Sequence, residues 1–137
     1  RGMKVLEVGT GSGYQTAVLA EMGGQVFTIE RIEELADRAR QTLSSMGYDS
    51  VHFHVGDGSA GLPEEAPFER ILVTAAAPDV PKTLLDQLAV GGRLVAPVGP
   101  SEQQIVTMID RREDRLVETP GLACRFVKLI GEGGWSE

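Results

Sequence analysis

The sequence has little cysteine, little positive charge and no long hydrophobic run. Its single cysteine, Cys124, excludes an internal disulfide, and no basic-then-apolar leader precedes the first strand pattern, so we expect a reducing, cytoplasmic location. No run approaches the roughly 20 apolar residues that a bilayer-spanning helix requires, and we expect no membrane partner. The 13 Lys and Arg residues against 20 Asp and Glu residues give a net charge of -7, which repels phosphate backbones. We therefore expect no nucleic-acid partner.

The length and composition are typical of one globular domain. At about 150 residues per domain, 137 residues leave room for a single domain, and 42% of them are hydrophobic. We predict a domain over residues 1–130 and a polar, frayed tail over 131–137. The chain opens at Arg1, directly before a strand pattern and without a capping element. We therefore expect it to be a piece of a longer protein.

Strand and helix patterns alternate through the first hundred residues. The clearest helix covers 32–46, where apolar residues recur at helical spacing and Gly47 follows as a helix terminator. Such alternation predicts right-handed crossovers and a parallel sheet with helices on both faces, which is a doubly wound α/β fold. The predicted strands are 3–8, 26–29, 51–55, 71–74 and 93–98, and the other predicted helices are 14–22 and 81–88.

The chain after residue 98 follows a different rule. Residues 99–103 are too few for a parallel crossover, which needs a dozen or more, so the next strand must return antiparallel. We therefore predict a mostly parallel sheet with an antiparallel C-terminal edge. Its strands are 105–110, 116–118 and 124–129, the last of them holding Cys124 as an inert core thiol.

A glycine-rich turn joins the first strand to the first helix. Residues 9–13 read Gly-Thr-Gly-Ser-Gly, at the crevice where doubly wound sheets bind ligands. Dinucleotide enzymes carry a similar G-x-G-x-x-G, but the position of their third glycine is Tyr14 here. Glu7, just before the turn, would oppose a pyrophosphate and suit a cation or an ammonium group. Tyr14 could either touch a ligand or cap the helix.

Two further carboxylates follow the next strands. Glu30 ends the second strand, where a carboxylate can accept hydrogen bonds from both ribose hydroxyls. Asp57, between Gly56 and Gly58 after the third strand, offers an acceptor for the exocyclic amine of adenine. Carboxylates at three successive strand ends predict a site for a nucleoside with a positive tail, and S-adenosylmethionine matches. An ordinary tight turn and a nicotinamide-binding site are the alternatives.

The two histidines could be metal ligands, but the sequence around them does not supply a complete metal site. His52 and His54 alternate on one strand and share a face, but no Cys or acidic third ligand stands at metal spacing. We therefore expect no metal.

Three motifs carry a resemblance to a known family. They are residues 5–15 (Val-Leu-Glu-Val-Gly-Thr-Gly-Ser-Gly-Tyr-Gln), 28–31 (Thr-Ile-Glu-Arg) and 73–78 (Val-Thr-Ala-Ala-Ala-Pro). With them the chain resembles, almost end to end, the protein-L-isoaspartate O-methyltransferases, which are S-adenosylmethionine-dependent enzymes with a Rossmann-like fold. The resemblance implies methylation of the α-carboxylate of L-isoaspartyl residues in damaged proteins and peptides. We expect the chain to be a monomer.

The resemblance also implies which residues form the site. The cofactor would be bound by Glu7, Gly9, Thr10, Gly11, Ser12, Gly13, Glu30, Arg31, Gly56, Asp57, Gly58 and Thr74. The substrate would be bound by Ala75, Ala76, Ala77, Pro78, Arg125, Phe126 and Val127. Lys128 stands where the family usually has proline, and the family's active-site serine lies in a segment before the first strand that this chain does not include.

The implied chemistry needs no strong base, because an α-carboxylate is already ionised and nucleophilic at neutral pH. The small alanines of the 74–78 loop would leave room for a peptide backbone beside the methyl group. Three other functions remain open: a cofactor-binding module without activity, a methyltransferase with a small-molecule acceptor, and a nicotinamide-dependent oxidoreductase.

Overall fold

The computed structural model describes residues 2–100, 102–124 and 126–136. Within them a seven-stranded sheet has the order β3-β2-β1-β4-β5-β6-β7. Strands β1 to β5 run parallel, and β6 and β7 return antiparallel, which confirms the predicted α/β class with its antiparallel C-terminal edge. The strands are β1 (Lys4–Val8), β2 (Gln25–Glu30), β3 (His52–Val55), β4 (Phe68–Val73), β5 (Leu88–Val98), β6 (Gln104–Arg111) and β7 (Leu116–Cys124).

Three α-helices and two 3₁₀ turns lie between the strands in the described part of the chain. The helices are α1 (Tyr14–Glu21), α2 (Glu33–Ser45) and α3 (Lys82–Leu85), and the 3₁₀ turns are Gly58–Ala60 and Pro63–Glu65. Helix α2 forms as predicted, because its apolar residues Ala36, Ala39 and Leu43 recur at helical spacing and are all buried. No helix among these residues has the length and apolar character needed to cross a membrane.

The centre of the sheet is the core of the molecule. Leu6 on β1 lies beside Ile71 on β4, which in turn lies beside Leu94 on β5, and all three side chains are fully buried. The sheet grows outward from β1 in both directions: β2 and β3 lie on one side of β1, and β4 and the later strands lie on the other. In open parallel sheets this change of direction leaves a crevice at the carboxyl ends of the strands, and ligands bind there.

The helix predicted over 81–88 is too long. Helix α3 ends at Leu85, and Leu88 already pairs with Phe68 as the first residue of β5. The N–H of Phe68 donates to the carbonyl of Gln87 over 2.8 Å, so pairing between strands overrides the local helical pattern. Gly91 lies inside β5 with a φ of 85°.

The C-terminal prediction is wrong in three respects. Residues 116–124 form one strand, β7, and the predicted strand 124–129 does not join the antiparallel edge. Instead, Lys128 lies in an isolated parallel bridge beside Ala76. Cys124 ends β7 and is only half-buried, so it is not a core thiol. Residues 131–136 are hydrogen-bonded rather than frayed.

Candidate functional site

A cavity of about 400 Å³ lies at the carboxyl ends of β1, β2 and β4. Five parts of the chain line it: the end of β1 with the glycine-rich turn, the end of β2 with the start of α2, Gly58 after β3, the turn after β4, and residues 127–130. Apolar side chains predominate, among them Ile29, Ile32, Leu35 and Leu129. A mostly apolar cleft with a few polar groups is the usual form of a small-molecule site.

The glycine-rich turn brings backbone close to this cavity. Gly11 lines the cavity with a φ of 54°, and open space lies where a side chain would begin. Gly9 has a φ of 104°, and a methyl group there would collide with the Thr74 hydroxyl. Gly13 caps α1 in the left-handed region and faces Ala39 rather than the cavity. Of the three glycines, Gly9 and Gly11 are therefore positioned to approach a ligand.

Glu30 faces the cavity and contacts the glycine-rich turn. Its side chain is 8% exposed; Oε1 accepts a hydrogen bond from the Gly11 N–H at 2.9 Å, and Oε2 accepts one from the Ile32 N–H at 3.1 Å. Each carboxylate oxygen has a second lone pair, so both can still accept from a ligand. Arg31 lines the cavity beside it.

Glu7 does not face the cavity, which corrects the prediction that it meets a cationic ligand group. Its side chain is fully buried, and Oε1 accepts hydrogen bonds from the hydroxyls of Thr16 and Thr28, the latter over 2.8 Å. The Thr28 and Thr10 hydroxyls are 2.6 Å apart. Glu7 thus ties α1 and β2 together beneath the turn, and Thr10 is buried in the same network.

Burial raises the pKa of Glu7 above its ordinary value; the two threonine hydrogen bonds lower it in part, and the charge of Glu30 raises it further. Oε2 has no hydrogen-bond partner in the described part of the chain. The folded state therefore keeps the proton of Glu7 to a higher pH than the unfolded chain does. The stability that this group contributes is fully present below the ordinary carboxyl pKa and is lost as the pH rises through the raised value.

We expect Glu7→Gln to remove this pH dependence. Relative to the unsubstituted chain, the variant should gain stability as the pH rises from about 4 to about 7, by about 1.4 kcal/mol for each unit by which the pKa is raised. Urea unfolding at several pH values measures the difference. Glu34→Gln, on the exposed first turn of α2, is the control. A relative stability of Glu7→Gln that falls with rising pH would contradict the assignment.

Asp57 also departs from its predicted role. Its Oδ1 accepts hydrogen bonds from the Ser59 N–H at 2.9 Å and the Ser59 hydroxyl at 2.6 Å, and Oδ2 accepts one from the Glu132 N–H at 3.1 Å. Burial alone would raise the pKa of Asp57, but these hydrogen bonds outweigh it and lower the pKa. Both oxygens are thus bound by protein donors, and the residue does not line the cavity. Its neighbour Gly58 does line it, whereas Gly56 does not.

The turn after β4 contributes fewer cavity residues than predicted. The Thr74 hydroxyl lines the cavity and lies 2.9 Å from the Val8 carbonyl and 2.8 Å from the Gly9 carbonyl, so it fixes the glycine-rich turn. Ala75 lines the cavity as well. Ala76 and Ala77 are buried in backbone pairing, and Pro78 is exposed outside the cavity. Of the predicted alanine wall, Ala75 alone faces the cavity.

The C-terminal segment forms another wall of the cavity. Val127 lines the cavity as predicted, but so do Lys128, Leu129 and Ile130, which the sequence analysis did not place there. The N–H of Phe126 donates to Oε1 of the buried Gln104 at 2.8 Å. A lone glutamine at the start of a strand gives no sequence signal of such a contact. Arg125 lies outside the described residues.

The remaining candidates lie away from the cavity. Ser12 and Tyr14 are exposed, and Tyr14 begins α1 without lining the cavity. His52 stacks on the Phe27 ring at 4.5 Å between centroids. In the ranges that the structure describes, no three metal-ligating side chains gather at one place.

Comparison with known proteins shows the family of this chain. The family model "Protein-L-isoaspartate(D-aspartate) O-methyltransferase (PCMT)" matches residues 1–134. The chain is 57% identical over 134 residues to the Protein-L-isoaspartate O-methyltransferase 2 of Geotalea uraniireducens, covering 97% of this chain and 62% of that protein. It is 54% identical over 136 residues to the Protein-L-isoaspartate O-methyltransferase of Syntrophus aciditrophicus, with the same coverage of 97% and 62%. The chain thus spans less than two thirds of these relatives.

Solved structures agree in fold. A protein-L-isoaspartate O-methyltransferase superposes with a TM-score of 0.89 at 33% identity, over 98% of this chain and 44% of its own. A putative family member from Plasmodium falciparum, in complex with S-adenosyl-L-homocysteine, superposes with a TM-score of 0.78 at 23% identity, over 94% of this chain and 66% of its own.

Proposed function

Because this chain belongs to the protein-L-isoaspartate O-methyltransferase family, we propose that it transfers a methyl group from S-adenosylmethionine to the α-carboxylate of L-isoaspartyl residues in damaged proteins and peptides. The observation that carries the proposal is Glu30 beside Gly11 in the cavity at the end of β1 and β2. There, the two carboxylate oxygens of Glu30 face an apolar cleft, and the glycine-rich turn lets a ligand come close to its backbone.

The residues present fit S-adenosylmethionine. The volume of about 400 Å³ is within the usual range for a small-molecule site. Glu30 would accept hydrogen bonds from the ribose hydroxyls, while Ile29, Ile32 and Leu35 offer apolar surface for the base. Gly58 lines the cavity beside Val8, and a side chain at Gly58 would meet the Val8 methyl at 2.5 Å, so only glycine fits this part of the wall. Gly9, Thr74 and Arg31 complete the proposed binding set.

The bound cofactor would supply an electrophilic methyl group on a sulfonium. The chain's own contribution is to position the acceptor carboxylate and to exclude water. Ala75 contributes only a small side chain to the cavity lining, and Val127 and Leu129 contribute apolar ones. Because the acceptor is already an anion, alignment of the reacting atoms is the main demand on the site. Phe126 and Val127, which are exposed, would contact the peptide.

A second candidate is a cofactor-binding module without turnover. It is favoured by one observation: the chain spans 62% of the relatives that it matches, so residues that act in those proteins can lie outside it. The cavity geometry supports both candidates equally.

Titration calorimetry and a methyl-transfer assay distinguish the two candidates. We expect S-adenosylhomocysteine to bind and an isoaspartyl peptide to be methylated, while the same peptide with a normal aspartyl linkage is not. Binding without methylation would support the module. If the cavity binds NADH and not S-adenosylhomocysteine, both candidates are wrong.

The finer assignments belong to the same proposal. Isoaspartyl proteins would be the partners, and the chain would act as a monomer in the cytoplasm. The net charge of -7 and the single cysteine support this setting, since they disfavour phosphate-rich partners and disulfide chemistry.

A further inference from the structure

Residues 126–136, here called the C-terminal strap, cross the carboxyl edge of the sheet and are attached at both ends. At the first end, the Ala76 N–H donates to the Val127 carbonyl and the Leu129 N–H donates to the Ala76 carbonyl, both over 2.6 Å. This places the first end beside the turn after β4. These two hydrogen bonds use the Val127 carbonyl and the Leu129 N–H, on either side of Lys128, so they do not involve the Lys128 N–H.

The far end of the strap is attached to the turn after β3. The Glu132 N–H donates to Asp57 Oδ2 at 3.1 Å, and the Gly133 N–H donates to the Ser59 hydroxyl at 2.9 Å. The Ser59 hydroxyl donates in turn to Asp57 Oδ1 at 2.6 Å. These three hydrogen bonds are here called the latch, and the first two of them join residues more than 70 positions apart in the chain.

The strap fits the latch closely. A methyl group on Gly131 would collide with Asp57 Oδ1, and one on Gly133 would lie 2.9 Å from the Ser59 Cβ. The strap is also closed on itself, since the Trp135 N–H donates to the Leu129 carbonyl at 2.7 Å and the Lys128 ammonium lies 5.5 Å from the Trp135 ring centre. It is therefore a compact loop seated on the latch and not a loose end.

The first end of the strap is also a cavity wall. Residues 127–130 line the cavity, and Gly58, which stands between the two latch residues Asp57 and Ser59, lines it from another side. A ligand in this cavity would thus contact both the strap and the turn that holds it. Such a ligand would favour the latched state over any state in which the strap has left.

We propose that the latched strap and the cofactor cavity are coupled. The latch hydrogen bonds strengthen nucleoside binding, and a bound nucleoside holds the strap in place. Asp57 is then a positioning residue that acts through the strap. The inference rests on the proposed function, because it takes S-adenosylhomocysteine as the cavity's ligand. Thermodynamic linkage requires the two effects to be equal in size.

The backbone donor at residue 132 gives a selective test. Glu132→Pro removes the N–H that Asp57 accepts, whereas the matched control Glu132→Ala keeps it. We expect S-adenosylhomocysteine to bind Glu132→Pro about tenfold more weakly than Glu132→Ala, through faster dissociation, as the loss of one charge-assisted hydrogen bond implies. In the unsubstituted chain and in Glu132→Ala, hydrogen exchange of residues 126–136 should slow when the ligand is added. In Glu132→Pro this protection should be lost.

A second variant guards against a local effect of proline. Ser59→Ala removes the hydroxyl that joins Gly133 to Asp57, and it should weaken ligand binding and strap protection in the same direction. Equal binding by Glu132→Pro and Glu132→Ala, with ligand bound in both, would overturn the strap proposal alone. So would ligand binding that leaves exchange in the strap unchanged. If the unsubstituted chain binds no S-adenosylhomocysteine, the proposed function fails and the strap proposal fails with it.

Discussion

Glu30→Gln should weaken S-adenosylhomocysteine binding by about a hundredfold in titration calorimetry. The carboxylate faces the cavity, and its two oxygens already accept from the N–H groups of Gly11 and Ile32. Glutamine keeps the size and one acceptor, but it replaces the other oxygen by a donor and removes the charge. A ribose hydrogen bond to a charged group is worth about 1.5–3 kcal/mol, and the loss of one such bond corresponds to about a hundredfold weaker binding.

The matched control is Glu33→Gln, three residues further along and exposed on the first turn of α2. It changes the net charge by the same amount without touching the cavity, so its affinity should stay within about twofold of the original, as surface substitutions usually do. Unfolding of both variants in urea separates a loss of ligand contacts from a loss of fold. Equal affinities for the two variants would show that Glu30 does not bind the nucleoside.

The three carboxylates that follow successive strands differ in the direction they face. Glu7 lies below the glycine-rich turn and binds threonine hydroxyls, Glu30 faces the cavity, and Asp57 is turned toward the C-terminal strap. The sequence pattern placed all three at one edge of the sheet, which is right. It could not show which way each side chain turns, because that depends on partners from distant parts of the chain.

The fold was predictable where the signals were local. The apolar spacing of α2, the glycines at 9–13 and the short connection after β5 each specify structure within a few residues, and the structure contains all three features. The family predicted from residues 5–15, 28–31 and 73–78 is confirmed. The binding role of Glu30 stays a prediction, although the residue lies where that role requires.

The errors arise where long-range contacts decide the outcome. Residues 124–129 read as a strand, but the backbone groups of Val127 and Leu129 pair with Ala76 and not with the neighbouring hairpin. Residues 131–137 read as a polar tail because a glycine-rich, polar segment carries no local structural signal. Their order comes from Asp57, which lies 75 residues away from Glu132 in the sequence. No pattern within the segment could indicate that contact.

Thr74 joins the carboxyl ends of strands β1 and β4, and its hydrogen bonds attach the glycine-rich turn to the sheet. Its hydroxyl contacts the carbonyls of Val8 and Gly9, while the Thr74 N–H donates to the Val8 carbonyl at 3.0 Å. The turn therefore depends on the absence of a side chain at Gly9. A methyl group there would occupy the position of this hydroxyl.

Gly9→Ala should lower the free energy of unfolding by about 3 kcal/mol. Alanine at a φ of 104° costs about 1–2 kcal/mol, and displacing the Thr74 hydroxyl from its carbonyl partners costs about 1 kcal/mol more. Gly47→Ala is the matched control, because Gly47 has a φ of 91° and open space around it, so it should show the backbone cost alone. Urea unfolding measures both variants.

A double-mutant cycle locates the excess cost at the contact with Thr74. In a Thr74→Ala background the methyl group of Gly9→Ala no longer meets a hydroxyl, so its cost should fall to about that of Gly47→Ala. An interaction free energy of about 1 kcal/mol or more is expected, because the two residues are in direct contact. A cost of Gly9→Ala that is the same in both backgrounds would mean that backbone strain alone makes glycine necessary at this position. The close approach of Thr74 would then contribute nothing to the shape of the turn that borders the cavity.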